Sequence, residues 1–309
     1  VYWIEEIGRE GTAGAHEVAM RCAAHLTGFC RTASGGQGFS LLARLTDIGI
    51  QLVRAKPSLA PIINLVNGLL LHIQQVTTSG ADSEEIRREA LGFLEAFQRS
   101  SSNSVDEVAA RAIALLEQGS TVLTVSGSET VARALEEAHR TGVLSEVVVA
   151  ESRPLLEGKL LARRLGARGI CVTLIVDAAV GLLARHCDVL LVGADAVGSD
   201  SFVNKIGTWC AVRAAREARK PRYALATESK LVPPGWPFPT TEGEAREVLA
   251  ESWANVTALN PYFERVSLRE VTGVVMESGV YAGSSIGRKT AELRLTPLLR
   301  PALADAPAS

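Results

Sequence analysis

From Thr121 onward the chain alternates short β-branched runs with helical segments of ten or more residues, and few folds accept that pattern. The runs are TVLTV (121–125), EVVVA (146–150), ICVTLIV (170–176), DVLLVGA (188–194), RYALAT (222–227) and TGVVME (272–277). Between them lie ETVARALEEAHR, LEGKLLARRLGAR, AAVGLLARH and NKIGTWCAVRAAREAR. Strands that are apolar without a break, each followed by a helix, predict a parallel sheet covered on both faces. Before Thr121 the pattern is helical only. TAGAHEVAMRCAAHLTGF, FSLLARLTDIGIQLVRA and LAPIINLVNGLLLHIQQV repeat apolar residues at helical spacing. Asp82 opens a fourth segment, and Ser104 with Glu107 matches a capping box that starts a fifth, ending at Gly119. The expected fold class is therefore α/β: a helical N-terminal domain (1–118) followed by a doubly wound, mainly parallel Rossmann-like domain (119–309).

Composition narrows the function classes. Net charge is −2, from 32 basic and 34 acidic residues, without the basic excess that nucleic-acid binding requires. The five cysteines form no CxxC pair, which points to reduced thiols, a cytoplasmic protein and no zinc site. Leu59 to Ile73 is apolar but broken by Pro61, Asn64 and Asn67, so no membrane span is expected. The first residues, VYWIEEIGRE, do not read as a signal peptide. No metal and no cofactor are expected.

In a doubly wound sheet, ligands bind at the carboxyl ends of the strands. Polar residues collect at those predicted ends: Ser126, Gly127 and Ser128 after the first; Glu151, Ser152 and Arg153 after the second; Asp177 after the third; Asp195 after the fourth; Lys230 beyond the fifth. Each alone is a capped turn. Together they describe an anion-binding crevice with an acid–base group. SGSET lacks the lysine of a phosphate-binding P-loop, the GxGxxG of a dinucleotide site and the GxSxG of a nucleophile elbow. It does place N–H groups and two hydroxyls at a helix start, which suits one phosphate. In GADAVGSDSFVNKIGT a helix is expected from about Asn204-Lys205, with Lys205 on its first turn reaching a phosphate.

GADAV…VNKIGT, VVVAESRPLLEGKLLARRL, VTLIVDAA, ALATESKL and NPYFERV, together with GTAGAHE near the start, resemble one superfamily over nearly the whole chain. It holds the α, β and δ regulatory subunits of eukaryotic translation initiation factor 2B, methylthioribose-1-phosphate isomerase and archaeal ribose-1,5-bisphosphate isomerase. The resemblance implies the two-domain fold and a homodimer, or a higher homo-oligomer, built largely through the C-terminal domain. The isomerases pair a cysteine after the first α/β strand with the aspartate of GAD. Here those positions are Ser126 and Asp195. The arginine that precedes Gly-Ala in the isomerases is Ala13, ahead of Gly14 and Ala15, and a second basic position is Lys56. Asn204, Lys205 and Lys230 are kept, and a glutamine of the methylthioribose-phosphate enzymes appears as Glu157.

A serine hydroxyl is a far weaker acid than a thiol. The resemblance therefore implies a regulatory protein that binds a phosphorylated sugar or nucleotide and a protein partner, with Gly14, Ala15, Lys56, Gly127, Ser128, Asn204, Lys205 and Lys230 in the ligand site. The alternative is an aldose–ketose sugar-phosphate isomerase that uses Asp195. Cys171 and Cys187, at strand starts, and Cys210, within a helix, are expected in the core.

Overall fold

The computed structural model describes residues 2–9, 13–32, 38–234, 236, 238 and 242–304. The helical layer comprises α1 (Tyr2–Arg9), α2 (Ala15–Thr32), α3 (Gly38–Ala55), α4 (Ala60–Thr78) and α5 (Ser83–Ile113). Pro61 sits in the first turn of α4, where its missing N–H costs nothing. Asp82 caps α5 by accepting from the Glu84 and Glu85 N–H groups. The expected break at Ser104 does not occur. α5 runs through it as one helix of 31 residues, and Ser104 hydrogen-bonds Glu277 instead of capping a new start. Its first half packs in the helical core through Ile86, Ala90 and Leu94. Its second half buries Val108, Ala109 and Ala112 against the sheet layer. Gly119 follows the turn after α5, in a left-handed conformation at φ 80°.

The remaining elements, in chain order, are β1 (Ser120–Val125), α6 (Glu129–Arg140), β2 (Leu144–Ala150), α7 (Glu157–Gly166), β3 (Val172–Ile175), α8 (Val180–Leu183), β4 (Val189–Gly193), β5 (Ala196–Val197), β6 (Ser201–Lys205), α9 (Thr208–Glu217), β7 (Arg222–Leu225), β8 (Phe263–Ser267), β9 (Gly273–Met276), β10 (Gly279–Tyr281), α10 (Gly283–Ala291) and α11 (Arg300–Ala304). Seven strands form one sheet in the order β10-β9-β7-β4-β1-β2-β3, parallel except for β10 on β9. All six sequence-predicted strands are in it. Alternate side chains of β1 feed the two apolar cores on its faces, Leu123 and Val125 on one side and Val122 on the other. Full cover fails at the edge: Thr173 and Leu174 of β3 are exposed, because among the described residues no further strand pairs with β3.

A second, antiparallel sheet has the order β5-β6-β8. It corrects the helix expected at Asn204-Lys205. Those residues end strand β6, paired with Glu264 and Phe263, and the helix begins only at Thr208. Val203, Ala196 and Val232 of this region join the helical core, so the small sheet mortises the two layers together. Leu299 and Ala302 also return to that core. Among the described residues no helix is long and apolar enough to cross a membrane.

Candidate functional site

β1 lies between β4 and β2, so the chain winds away from it in both directions: to β2 and β3 on one side, to β4, β7 and β9 on the other. At such a reversal the loops leaving two neighbouring strands part and leave a crevice at their carboxyl ends. A cavity of about 450 Å³ occupies it. The loops after β1 and β4 line its sheet side, and Gly14 to His16 and Lys56 line its helical side.

Two helix starts meet there. Ser128 is the N-cap of α6, its hydroxyl accepting from the Val131 N–H at 3.5 Å. Gly14 precedes α2, and a methyl group on it would stand 3.7 Å from the Gly127 carbonyl oxygen. The first residues of both helices line the cavity, which brings the positive ends of the two helix dipoles to it. The approach depends on small residues. A Cβ on Gly193, at the end of β4, would lie 2.6 Å from Ser128 Cβ and Oγ. A Cβ on Gly158 would lie 1.8 Å from the Ala150 oxygen, so α7 can begin against the end of β2 only with glycine there.

The strand-end residues are bound to one another. Ser126 holds a left-handed φ of 65° and its N–H donates to Ser152 Oγ at 2.7 Å. Asp177 accepts from the Ser152 and Arg153 N–H groups at 2.8 Å each. Glu151 pairs with Lys159 at 3.0 Å. Arg153 is not a cavity residue: its guanidinium extends to the Glu247 carbonyl. Glu151, Arg153 and Asp177 thus shape the loops, while Ser126, Gly127 and Ser128 reach the cavity.

The charged floor is compact. Lys205 is buried, and its Nζ meets Glu157 Oε1 at 2.7 Å and stands 4.9 Å from the centre of the Tyr262 ring. The Tyr262 hydroxyl donates to the Glu247 carboxylate, which also accepts from Asn260 Nδ2. Burial pushes the Glu157 carboxyl above its ordinary range, against the pull of Lys205. Asp195 is surrounded by protein except where the cavity reaches it. Burial raises its pKa to about 6, opposed by the charges of Lys230 and Lys205 and assisted by that of Glu157. Lys230 is buried, and burial lowers its pKa against the attraction of Asp195 and Glu277. The Asn204 amide donates to Thr208 Oγ1 at 2.9 Å. Its Oδ1 lies beside Gly193, where a Cβ would stand 3.6 Å from it. His16 is held below its ordinary pKa, first by burial and then by Lys230.

All ten sequence-predicted site residues line this one cavity: Gly14, Ala15, Lys56, Ser126, Gly127, Ser128, Asp195, Asn204, Lys205 and Lys230. Sequence reasoning missed His16, Tyr262 and Glu247 as lining residues, and missed that Glu157 holds Lys205. Tyr262 lies in the quoted NPYFERV and His16 in GTAGAHE, but neither stretch carries a local motif that places it at a site. Cys187 is in the core as expected, whereas Cys171 and Cys210 are exposed. Cys171 precedes the uncovered edge strand, and Cys210 lies on the outer face of α9.

The description "Initiation factor 2 subunit family" applies to residues 11–283 by match to the family model. A ribose 1,5-bisphosphate isomerase from Archaeoglobus fulgidus is 31% identical over 241 residues, covering 74% of this chain and 73% of the relative. A methylthioribose-1-phosphate isomerase from Yersinia pseudotuberculosis is 31% identical over 271 residues, covering 78% and 77%. The crystal structure of a Pyrococcus horikoshii translation initiation factor 2B protein superposes with a TM-score of 0.76 at 25% identity, over 90% of this chain and 95% of that one. Relatives of this chain thus include both sugar-phosphate isomerases and initiation-factor-like proteins.

Proposed function

The chain belongs to the initiation factor 2 subunit family, and we propose that within it this protein is a sugar-phosphate aldose–ketose isomerase with Asp195 as its base. Asp195 carries the proposal. A carboxyl whose pKa is raised to about 6 is ionised at neutral pH yet basic enough to take a proton from carbon and return it to the neighbouring carbon. The negative charge that develops on the sugar oxygens in between faces the buried Lys205 and Lys230. The two helix starts, with the Ser128 hydroxyl, seat the phosphate. Two isomerase relatives at 31% identity support this reading. The test is purified protein with ribose 1-phosphate, methylthioribose 1-phosphate or ribose 1,5-bisphosphate in D₂O. Ketose formation is expected, abolished by Asp195→Asn. No turnover of any of them would refute it.

A second reading rests on Ser126. Its hydroxyl is a weak acid, its backbone N–H is already committed to Ser152, and among the described residues no base hydrogen-bonds its hydroxyl. On that reading the protein binds a sugar phosphate as a regulatory signal without converting it, and the same assay shows binding with no turnover. We also propose that the chain self-associates through the edge of the sheet layer, where Leu174, Val176 and Leu182 are 45%, 59% and 58% exposed.

A further inference from the structure

Asn64 interrupts an apolar stretch of α4, where Ile62, Ile63, Leu65 and Val66 are all buried. An amide in such a helix costs stability unless its donors are used. Here one nitrogen serves two carbonyls. Asn64 Nδ2 donates to the Ser229 oxygen at 2.6 Å and to the Leu231 oxygen at 2.8 Å. These residues stand on either side of Lys230, so the amide spans it and fixes the backbone before and after it.

The same helix holds Asp195. The Ala60 N–H donates to the Asp195 carbonyl at 3.1 Å, and the Asp195 N–H donates to the Val203 oxygen at 2.8 Å. Ala60 and Asn64, four residues apart, share a face of α4. The two anchored segments also run side by side: Val197 and Leu231 form a parallel bridge, and the Val232 N–H donates to the Val197 oxygen at 2.9 Å. One turn of α4 thus grips both segments that bring Asp195 and Lys230 to the cavity. The grips differ in kind. Ala60 uses a backbone N–H, whereas the grip on Lys230 depends on the Asn64 side chain. Asn67 makes a comparable clamp elsewhere: its Nδ2 donates to the Arg294 oxygen and its Oδ1 accepts from the Thr296 N–H, both at 2.8 Å, and neither partner lines the cavity.

We propose that Asn64 is a positioning residue of the site: by holding the backbone on both sides of Lys230 it keeps that lysine in place beside Asp195. The inference rests on the reading of Asp195 as the base, and it gives the helical layer a hand in how readily that base ionises. Lys230 is one of two cations, with Lys205, that hold the Asp195 pKa down against burial and the charge of Glu157. Glu277 also attracts Lys230, so a lysine released from Asn64 has a second carboxylate to turn to. Weakening the hold of Lys230 raises the Asp195 pKa, while Lys205 and Glu157 act as before.

The test is the titration of the Asp195 carboxyl by carbon-13 NMR on aspartate-labelled protein, with Asp195→Asn identifying its signal. It needs no substrate, so it is separate from the assay for ketose formation: absence of turnover removes the proposed reaction, and the titration still decides the role of Asn64. The wild-type midpoint is expected at about 6. Asn64→Leu, with the same branching but no donor, is expected to move it upward by about one unit, the low end of what a neighbouring opposite charge contributes. Asn64→Ala is measured beside it, so that a leucine too large for its place does not decide the outcome. Asn67→Leu also loses two hydrogen bonds to backbone and is expected to lower the melting temperature, as the Asn64 variants do, but to leave the Asp195 midpoint unchanged. A midpoint that stays at the wild-type value in a folded Asn64 variant, or that moves equally in Asn67→Leu, overturns the proposal.

Discussion

Asp195→Asn should make this protein more stable at neutral pH while removing its proposed activity. The Asp195 carboxyl shifts from 3.8 to about 6 on folding, and that shift already includes the favourable charges of Lys230 and Lys205. What remains is the net cost of ionising the group in place. A shift of about two units corresponds to about 3 kcal/mol, and water in the open cavity reduces this toward about 2 kcal/mol. The sign follows from proton linkage. Between pH 3.8 and about 6 the folded chain binds more protons at Asp195 than the unfolded chain does, so stability falls as pH rises through that window. Below it the cost is absent, and above it the cost is complete. Asparagine has the shape of the protonated acid and never pays it. Urea unfolding at pH 7.5 should therefore show the variant about 2–3 kcal/mol more stable than wild type, and the difference should vanish near pH 4. Turnover should be lost at every pH. A variant no more stable at pH 7.5, or one whose gain persists at pH 4, would refute the buried-base account of Asp195.

Lys205→Met should cost about 3–5 kcal/mol at pH 7.5 by stranding the buried Glu157 carboxylate, and the loss should shrink as pH falls and that carboxyl, already held above its ordinary range by burial, protonates. Adding Glu157→Leu should recover most of it in a urea double-mutant cycle. Gly158→Ala should give little soluble protein, since its Cβ would stand 1.8 Å from the Ala150 oxygen and both atoms sit on rigid elements; expression yield and thermal unfolding report it. Ser126→Gly should raise stability by about 1 kcal/mol by relieving a left-handed serine, read as a shift in the urea midpoint. Leu174→Glu should leave the fold intact by circular dichroism but reduce the mass found by light scattering to that of a monomer.

The sequence by itself determined the α/β class, the helical first third and the six strands of the main sheet. These follow from local periodicity, because an apolar repeat dictates which face of an element must be buried. That the ten candidate residues would gather at one cavity was legible for a related reason: strand ends announce themselves by the switch from apolar to small and polar residues, and the quoted motifs carried the rest. Periodicity alone misread Ser104 as a helix start, because a capping box in sequence does not say whether the preceding helix has already arrived in register. It misread Asn204 and Lys205 as helical, because the small second sheet is held by pairing with β8, far along the chain. The order of the strands, which turns the ends of β1 and β4 into one crevice, was likewise a tertiary decision. So was the pairing of Lys205 with Glu157, which no spacing in the chain foretells. Lys205, which the sequence offers as a partner for phosphate, becomes half of an ion pair once the fold brings it within 2.7 Å of Glu157.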